Sequence, residues 1–335
     1  MSNNYKIIDM YEKKCIDNNY LFEVELDITN TCNANCIFCY QGFNHHKKDN
    51  ELPLSKIENL LDELREMGVY YVQLSGGEPF ARNDVLKIIE ESKKRGFRTS
   101  IITNGTLLNN EIIDKLAELN IDRLNVSFHS INKENYCKIF NFSNTNYYDI
   151  VINNIKYMIS KNINVGISVT INKLNVSEIC EIYDFFVELG IKKSHFTFQG
   201  LLRGNKDISP LVPNEKENLE AYKKINEIFG FTGSSSFICN AGRIGCTIDS
   251  AGNVKPCSFF SQSAGNIYND NICNIWENSE LLKIVRSFEQ NHFQKCNSCN
   301  KKEKCHVCLA ANLNETGNVF VPSETYCSIN KKRFD

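Results

Sequence analysis

Three cysteines in one short segment carry the most specific chemical signal in this sequence. Cys32, Cys36 and Cys39 follow a Cys-x3-Cys-x2-Cys spacing, directly after an alternating apolar run, 21–28, that predicts a β-strand. Thiolates at this spacing can bind three of the four irons of a cubane iron–sulfur cluster. The fourth iron is then open to a ligand that is not a cysteine. Such a cluster can bind a substrate as well as transfer electrons.

A glycine-rich turn follows a second predicted strand. Ser75, Gly76, Gly77, Glu78 and Pro79 come directly after the apolar residues 69–74. Glycines suit a backbone that must approach a ligand closely, because they carry no side chain. Alone, three nearby cysteines are more often a zinc site or buried thiols, and Gly-Gly-Glu-Pro is usually just a turn. Together, and in this order, the two motifs are far more specific.

The two motifs together resemble the hallmarks of the radical S-adenosylmethionine (SAM) superfamily. In that family an aromatic residue, here Phe38, precedes the third cysteine; Tyr40 follows it and is a second candidate for the SAM site. The resemblance implies that the amino and carboxylate groups of SAM chelate the open iron, and that residues 75–79 bind the methionine amino group. It also implies reductive cleavage of SAM to a 5′-deoxyadenosyl radical, which removes hydrogen from an unactivated carbon.

Predicted strands and helices alternate from residue 21 to about residue 229. The strands are predicted at 21–28, 69–74, 98–103, 123–128, 164–171 and 194–198, and the helices at 53–67, 84–95, 110–119, 147–161, 177–189 and 214–229. Six such units indicate an α/β fold with a parallel sheet, whereas a closed barrel of this type has eight. The resemblance implies a partial (β/α)6 TIM barrel with an open side.

Polar residues follow the ends of the predicted strands, where parallel barrels carry their reactive groups. Asn104 follows the third strand, Ser127 and His129 the fourth, and Thr170 and Asn172 the fifth. By resemblance, Asn104, Ser127, Thr170 and Asn172 are candidate SAM contacts; the alternative for each is a cap of the following helix. His129 is the one candidate catalytic residue, as a proton donor or acceptor, although a lone histidine is more often structural.

Composition and charge exclude several classes of protein. The chain has 335 residues, of which 42% are hydrophobic and 23% charged, as in ordinary globular proteins. No apolar run approaches the ~20 residues that span a bilayer, and the first twenty residues do not form a signal peptide. A net charge of −2 provides no general field for nucleic acid. We therefore expect a cytoplasmic protein with neither a membrane nor a nucleic acid as partner.

Cysteine is unusually frequent, and nine of the 15 cysteines lie between Cys239 and Cys327. Because nothing directs export, grouped cysteines predict metal binding rather than disulfides. The Cys-x2-Cys-x5-Cys-x2-Cys segment 296–308 is by itself a zinc-ribbon candidate. In this setting, 239–327 resembles the SPASM extension of radical SAM enzymes, which carries two auxiliary four-iron clusters. It departs from the family pattern at Cys308, which follows Cys305 after two residues instead of three.

The SPASM resemblance implies a ligand set for each auxiliary cluster and three [4Fe-4S] clusters in all. The first auxiliary cluster would be bound by Cys239, Cys257 and Cys308, with Cys246 a candidate fourth ligand. Without Cys246 this cluster would have an open iron. The second would be bound by Cys296, Cys299, Cys305 and Cys327, and Cys273 is expected to be a plain thiol.

We expect four regions along the chain. They are an N-terminal extension (1–20), the radical SAM partial barrel (21–213), the last barrel helix and a linker (214–238), and a small cysteine-rich α+β SPASM domain (239–335). The small and polar residues 230–236 indicate a hinge, and the Ala-Gly-Asn tip at 251–253 predicts a β-hairpin.

Most families with this extension act on peptides or proteins. The predicted function is therefore that of a radical SAM oxidoreductase and maturase that oxidises or crosslinks a ribosomally made peptide. Alternatives are anaerobic sulfatase-type protein maturation, oxidation of a small alcohol, and a non-catalytic iron–sulfur or zinc protein. A flavodoxin- or ferredoxin-type reductant is the expected electron donor. Because only about twenty residues precede the first strand, we expect any leader peptide to be bound by a separate protein or by the barrel itself.

Overall fold

Six parallel strands and the helices between them form the first part of the molecule. The computed structural model describes residues 10, 13–41, 51–202, 207–230, 238–302 and 305–333; of the predicted hinge, only Gly230 lies within them. Strands β1–β6 are Glu23–Thr29, Tyr71–Gly76, Arg98–Thr103, Arg123–Ser127, Val165–Ile171 and Phe196–Gly200. Helices α1–α7 are Leu54–Glu66, Val85–Lys94, Asn110–Glu118, Lys133–Phe140, Asn146–Ser160, Ile179–Glu188 and Glu215–Phe229.

The C-terminal part adds three short strands and several helices. Strands β7–β9 are Gly245–Ile248, Asn253–Lys255 and Gly265–Asn266, and helices α8–α12 are Ile272–Asn278, Glu280–Ser287, Gln294–Asn297, Leu309–Thr316 and Glu324–Arg333. The predicted hairpin is confirmed, because β7 and β8 pair antiparallel with Thr247 opposite Lys255. No helix within the described ranges is long and apolar enough to cross a membrane.

The strands form one sheet in the order β6-β5-β4-β3-β2-β1-β7-β8-β9. Pairing is parallel from β6 through β1 to β7 and antiparallel from there to β9. Because β6 lies at one edge and β7 occupies the other side of β1, the six barrel strands form an open arc. The predicted α/β partial barrel is confirmed.

Alternation along β1 separates the core from the inner face of the barrel. Val24, Leu26 and Ile28 are buried in the main core, which contains residues from α1 to α6 and continues into the C-terminal part. Successive side chains of a strand point to opposite faces, so Glu25 and Asp27 lie on the other side of β1. The inner face of the barrel is therefore lined with polar groups.

Helix α4 is absent from the sequence prediction, and β1, β2 and β6 each begin two residues later than expected. The side chain of Asn132 caps α4 by accepting the Asn135 N–H, and Asn141 ends the helix at φ +55°. Eight residues are too few for a clear helical period, although Tyr136 and Phe140 are buried. β2 begins at Tyr71, and β6 begins at Phe196 after a turn of 3-10 helix.

Candidate active site

A cavity of about 540 Å³ extends from the inner face of the sheet to the carboxyl ends of the strands. Most of the site residues predicted from the sequence line it: Cys32, Cys36, Phe38, Cys39, Tyr40, Ser75, Gly76, Gly77, Asn104, Ser127, His129 and Thr170. Three predicted residues, Glu78, Pro79 and Asn172, are buried and do not line this cavity. The parallel strands thus bring the two motifs and most of the strand-end polar groups to one place.

The cysteine loop is held against the C-terminus of α4. The N–H groups of Asn35 and Ile37 donate to the carbonyl oxygens of Phe140 (3.1 Å) and Ile139 (2.9 Å). These carbonyls have no partner within the helix, because the last C=O groups of a helix point away from it. The helix that sequence reasoning missed is therefore one support of the triad loop.

The Gly-Gly turn packs against the chain that leads into the triad. The N–H groups of Gly77 and Glu78 donate to Thr29 O and Thr31 O, each at 2.8 Å. A Cβ on Gly76, whose φ is +128°, would overlap Thr29 O, and one on Gly77 would overlap Thr31 O. The glycines are thus required for contact between two protein segments, a reason that the sequence alone does not reveal.

Glu78 joins the end of β2 to the end of β3. Its carboxylate accepts hydrogen bonds from the Thr103 hydroxyl (2.7 Å), the Asn104 N–H (2.7 Å) and the Phe80 N–H (3.1 Å). Burial raises the pKa of Glu78 to about 7, and these three bonds oppose that shift. Asn104 in turn donates through Nδ2 to Asn33 of the triad loop at 2.9 Å. Glu78 therefore positions Asn104 rather than lining the cavity itself.

Of the two SAM contacts predicted at the end of β5, Thr170 and Asn172, only Thr170 lines the cavity. The hydroxyl of Thr170 accepts a hydrogen bond from Gln199 Nε2 at 3.3 Å. Asn172 is fully buried; its Nδ2 donates to Thr170 O (3.1 Å) and its Oδ1 accepts the Leu174 N–H (2.9 Å). The structure places Asn172 as a turn-forming residue, in line with the alternative of a local cap, and not among the residues that line the cavity.

His129 is a neutral residue of the cavity wall. Its Nδ1 accepts the Thr170 N–H at 3.1 Å, and its ring stacks on Phe140 and meets Phe38 edge to face. Burial lowers the pKa of His129 to about 3, so the imidazole carries no charge near neutral pH. Because Nδ1 accepts, the proton lies on Nε2, and this group can donate a hydrogen bond.

Three C-terminal cysteines form a first group. Burial raises the pKa of Cys257 to about 12, and the charges of Cys308 and Cys239 raise it further. The bridge between Ile238 and Val307 brings Cys239 beside Cys308, despite the unusual spacing at Cys308. The Cys308 thiol caps α11 by accepting the Ala311 N–H at 3.4 Å. Burial raises the pKa of Cys308 to about 12, and the N–H groups of Ala310 and Ala311 at the helix N-terminus oppose this shift.

Cys246 lies on β7 near this group. It shares with Cys257 the lining of a cavity of about 230 Å³. Burial raises the pKa of Cys246 to about 12, and the positive charge of Arg286 opposes the shift. The guanidinium of Arg286 is held over the Trp276 ring at 4.1 Å.

A second group contains the remaining ligand candidates. Burial raises the pKa of Cys296, and the charges of Cys327 and Cys299 raise it further. All three line a small cavity together with Cys305 and Cys308. Among the described residues, no three His, Cys, Asp or Glu side chains converge as ligands of a single metal ion would. Thiolates of a cubane cluster bind different irons and need not converge.

The triad loop and the segment after Cys257 meet at the main cavity. Tyr40, next to Cys39, contacts Phe259, with 4.7 Å between the ring centroids. Ser258 and Phe259, which follow Cys257, line the cavity on this side, and Glu25 accepts a hydrogen bond from Gln73 on the inner face of the barrel. The sequence analysis did not predict that these residues line the cavity. Glu25 on β1 and Gln73 on β2 could have been identified, because they are polar residues at positions that alternate with buried apolar residues.

Comparison with known families agrees with this arrangement. Residues 26–186 match the radical SAM superfamily, and residues 239–308 match the SPASM iron–sulfur cluster-binding domain. The chain therefore belongs to the radical SAM superfamily and carries a C-terminal SPASM domain. Its cofactors are accordingly SAM and iron–sulfur clusters.

Two relatives and one solved structure show how far the similarity extends. The AdoMet-dependent heme synthase of Methanosarcina barkeri is 27% identical in an alignment 337 positions long that covers 90% of this chain and 94% of the relative. The mycofactocin maturase of Mycobacterium tuberculosis is 26% identical in an alignment 311 positions long that covers 85% of this chain and 77% of the relative. The structure of Streptococcus suis SuiB bound to SAM has a TM-score of 0.75 at 19% identity and covers 97% of this chain and 83% of its own. At this identity the structural likeness shows a shared fold.

Proposed function

We propose that this protein is a peptide maturase, which removes a hydrogen atom from a residue of a ribosomally made peptide to give an oxidation or a crosslink. The observation that carries the proposal is the position of the cavity. The triad loop forms one wall, and Ser258 and Phe259, next to Cys257, form another. A substrate bound here would contact both the radical-forming site and the first auxiliary group. Similarity to the mycofactocin maturase, and to SuiB, which also has a structure with its precursor peptide SuiA, supports a peptide substrate.

We propose three four-iron clusters for this chain. The triad cysteines fit the first, because all three are partly exposed and line a cavity with room for a further ligand. The two C-terminal groups fit the other two, with Cys246 as the fourth ligand of the first auxiliary cluster beside the positive charge of Arg286. When bound, SAM and the triad cluster supply a 5′-deoxyadenosyl radical that removes hydrogen from an unactivated carbon.

The residues of the chain bind and orient SAM and limit access of water. Asn104, Ser127 and Thr170 provide polar groups for SAM, and Glu78 fixes Asn104. Gly76 and Gly77 expose backbone near the triad. Phe38 and neutral His129 form an apolar wall, and His129 presents an Nε2–H. These roles follow from the positions of the side chains and are part of the proposal.

Two partners complete the proposed reaction. A flavodoxin- or ferredoxin-type protein supplies the electron, since reductive cleavage of SAM consumes one. A separate leader-binding protein presents the peptide wherever the substrate has a leader. Nucleic acid has no part in the proposal, because the chain has a net charge of only −2.

A tetrapyrrole substrate is the second candidate, because the similarity to the heme synthase covers 90% of this chain. The main cavity is lined by both Glu25 and Arg123, so a substrate that carries carboxylates would meet one like charge and one opposite charge there. The assay described next distinguishes the two candidates by their products.

The test is an anaerobic assay with reconstituted protein, SAM and dithionite. We expect methionine and 5′-deoxyadenosine, together with a peptide, encoded beside the gene of this protein, that has lost the mass of hydrogen atoms. A variant with Cys32, Cys36 and Cys39 changed to Ala is the control. It should form no methionine, no 5′-deoxyadenosine and no modified peptide. A non-catalytic protein would cleave no SAM. Consumption of an iron porphyrin instead of any peptide would favour the second candidate.

A further inference from the structure

A second cavity, of about 280 Å³, adjoins the main one and shares Tyr40, Ser258 and Phe259 with it. We call it the acidic pocket, because it is also lined by Asp27 of β1 and by Asp249 of the segment after β7. It lies between the barrel and the C-terminal domain. Neither the family match nor the proposed chemistry assigns it a role.

Asp27 is a buried carboxylate of this pocket that forms no ion pair with any residue in the described part of the chain. It is 4% exposed, and its Oδ1 has no hydrogen-bond partner among the described residues. Lys255, the cation of the pocket lining, forms an ion pair with Asp249 at 2.9 Å. Asp249 also accepts the Asn253 N–H at 2.9 Å. Lys255 and Asp249 of the hairpin thus pair with each other, and the described residues provide no ion-pair partner for Asp27.

An unpaired buried carboxylate is unfavourable and calls for an explanation in a native structure. Burial and the charges of Glu25 and Asp249 raise the pKa of Asp27 well above its usual range, although the charge of Lys255 opposes this shift. A cation entering the pocket would relieve this repulsion. The positive charge of Lys255 disfavours a divalent metal ion in this pocket, whereas an ammonium or guanidinium group brings one charge and several N–H donors.

We propose that the acidic pocket binds the ammonium or guanidinium group of a substrate side chain, with Asp27 as its counterion. A peptide anchored in this way would place a neighbouring residue in the main cavity, because the Tyr40 and Phe259 rings line both. This inference rests on the proposed peptide substrate and specifies it: the peptide carries a Lys or Arg close to the residue that reacts.

The test measures binding of small probes to reconstituted holoprotein with SAM by calorimetry. Nα-acetyl-lysine methylamide and Nα-acetyl-arginine methylamide are compared with Nα-acetyl-norleucine methylamide, which has nearly the shape of the lysine probe but no charge. We expect at least one cationic probe to bind about tenfold more tightly than the norleucine probe, as one charge-assisted hydrogen bond predicts. The stronger of the two identifies lysine or arginine.

The variant Asp27→Asn should abolish this preference and leave the melting temperature of the protein unchanged or higher. The matched control Asp62→Asn, which removes the same charge from an exposed ion pair with Arg95, should keep the preference. Equal binding of all three probes to the wild type would overturn the inference, as would a preference that survives Asp27→Asn. A large fall in melting temperature for Asp27→Asn alone would show a structural role instead. Failure of the proposed function would be seen in a different experiment. The wild type would then modify no peptide in the anaerobic assay, even if it bound the cationic probes more tightly.

Discussion

Replacing Glu78 by Gln should weaken SAM binding without removing the triad cluster. The Glu78 carboxylate accepts two backbone N–H groups, from Phe80 on Oε1 and from Asn104 on Oε2, and the hydroxyl of Thr103. A Gln side chain has a single acceptor oxygen. The Thr103 hydroxyl can turn to accept a bond, but one of the two N–H groups loses its acceptor in either amide orientation.

A buried N–H group without an acceptor costs about 1–3 kcal/mol. We therefore expect the free energy of unfolding of the cluster-free protein to fall by about 2 kcal/mol in urea. Because Asn104 lines the cavity and is fixed by Glu78, the Kd for SAM should rise about tenfold, which corresponds to about 1.4 kcal/mol. The iron count should stay at the wild-type value.

Glu118→Gln is the control, because the Glu118 side chain is 67% exposed and, among the described residues, forms an ion pair only with Lys115 of the same helix. It should change neither the unfolding free energy nor the Kd measurably. Wild-type stability and wild-type SAM affinity in Glu78→Gln would refute the positioning role of Glu78.

Three further predictions follow from the same geometry. The pKa of His129 is about 6.5 in the unfolded chain and about 3 in the folded protein, so acidification from pH 6.5 to 5 should destabilise the wild type by about 1.6 kcal/mol more than His129→Gln, measured by urea unfolding. Parallel pH profiles of the two proteins would contradict this. Gly77→Ala should cost about 1–3 kcal/mol and lower the iron retained by the triad, since its Cβ would overlap Thr31 O. Cys257→Ala should lower the iron count by about four, whereas Cys273→Ala, at a thiol whose neighbours are Glu277 and Glu63, should leave it unchanged.

The sequence predicted the parts of the site that have a local pattern. The triad, the Gly-Gly turn and the strand-end residues Ser127 and Thr170 follow alternating apolar runs, and parallel strands bring their carboxyl ends together. The open sheet was predictable from the number of strand–helix units, because six units are fewer than the eight of a closed barrel.

Other features depend on contacts between distant segments. Helix α4 has no clear period of its own, and its value to the site comes from carbonyl groups that accept from the triad loop. The parallel pairing of β7 with β1 brings Ser258 and Phe259 to the cavity, and no local pattern specifies that pairing. Asn172 carried the same strand-end signal as Thr170, but its side chain turns back to satisfy its own loop.

The most direct test of the proposed function is the transfer of deuterium from a labelled peptide to 5′-deoxyadenosine. Reconstituted protein is incubated with SAM, dithionite and a candidate peptide synthesised with one fully deuterated residue type at a time. We predict that one labelled peptide transfers deuterium to 5′-deoxyadenosine and appears as an oxidised or crosslinked product. Formation of 5′-deoxyadenosine without deuterium for every labelled peptide, with all peptides unchanged, would contradict the proposal that this cavity brings a peptide to the SAM site.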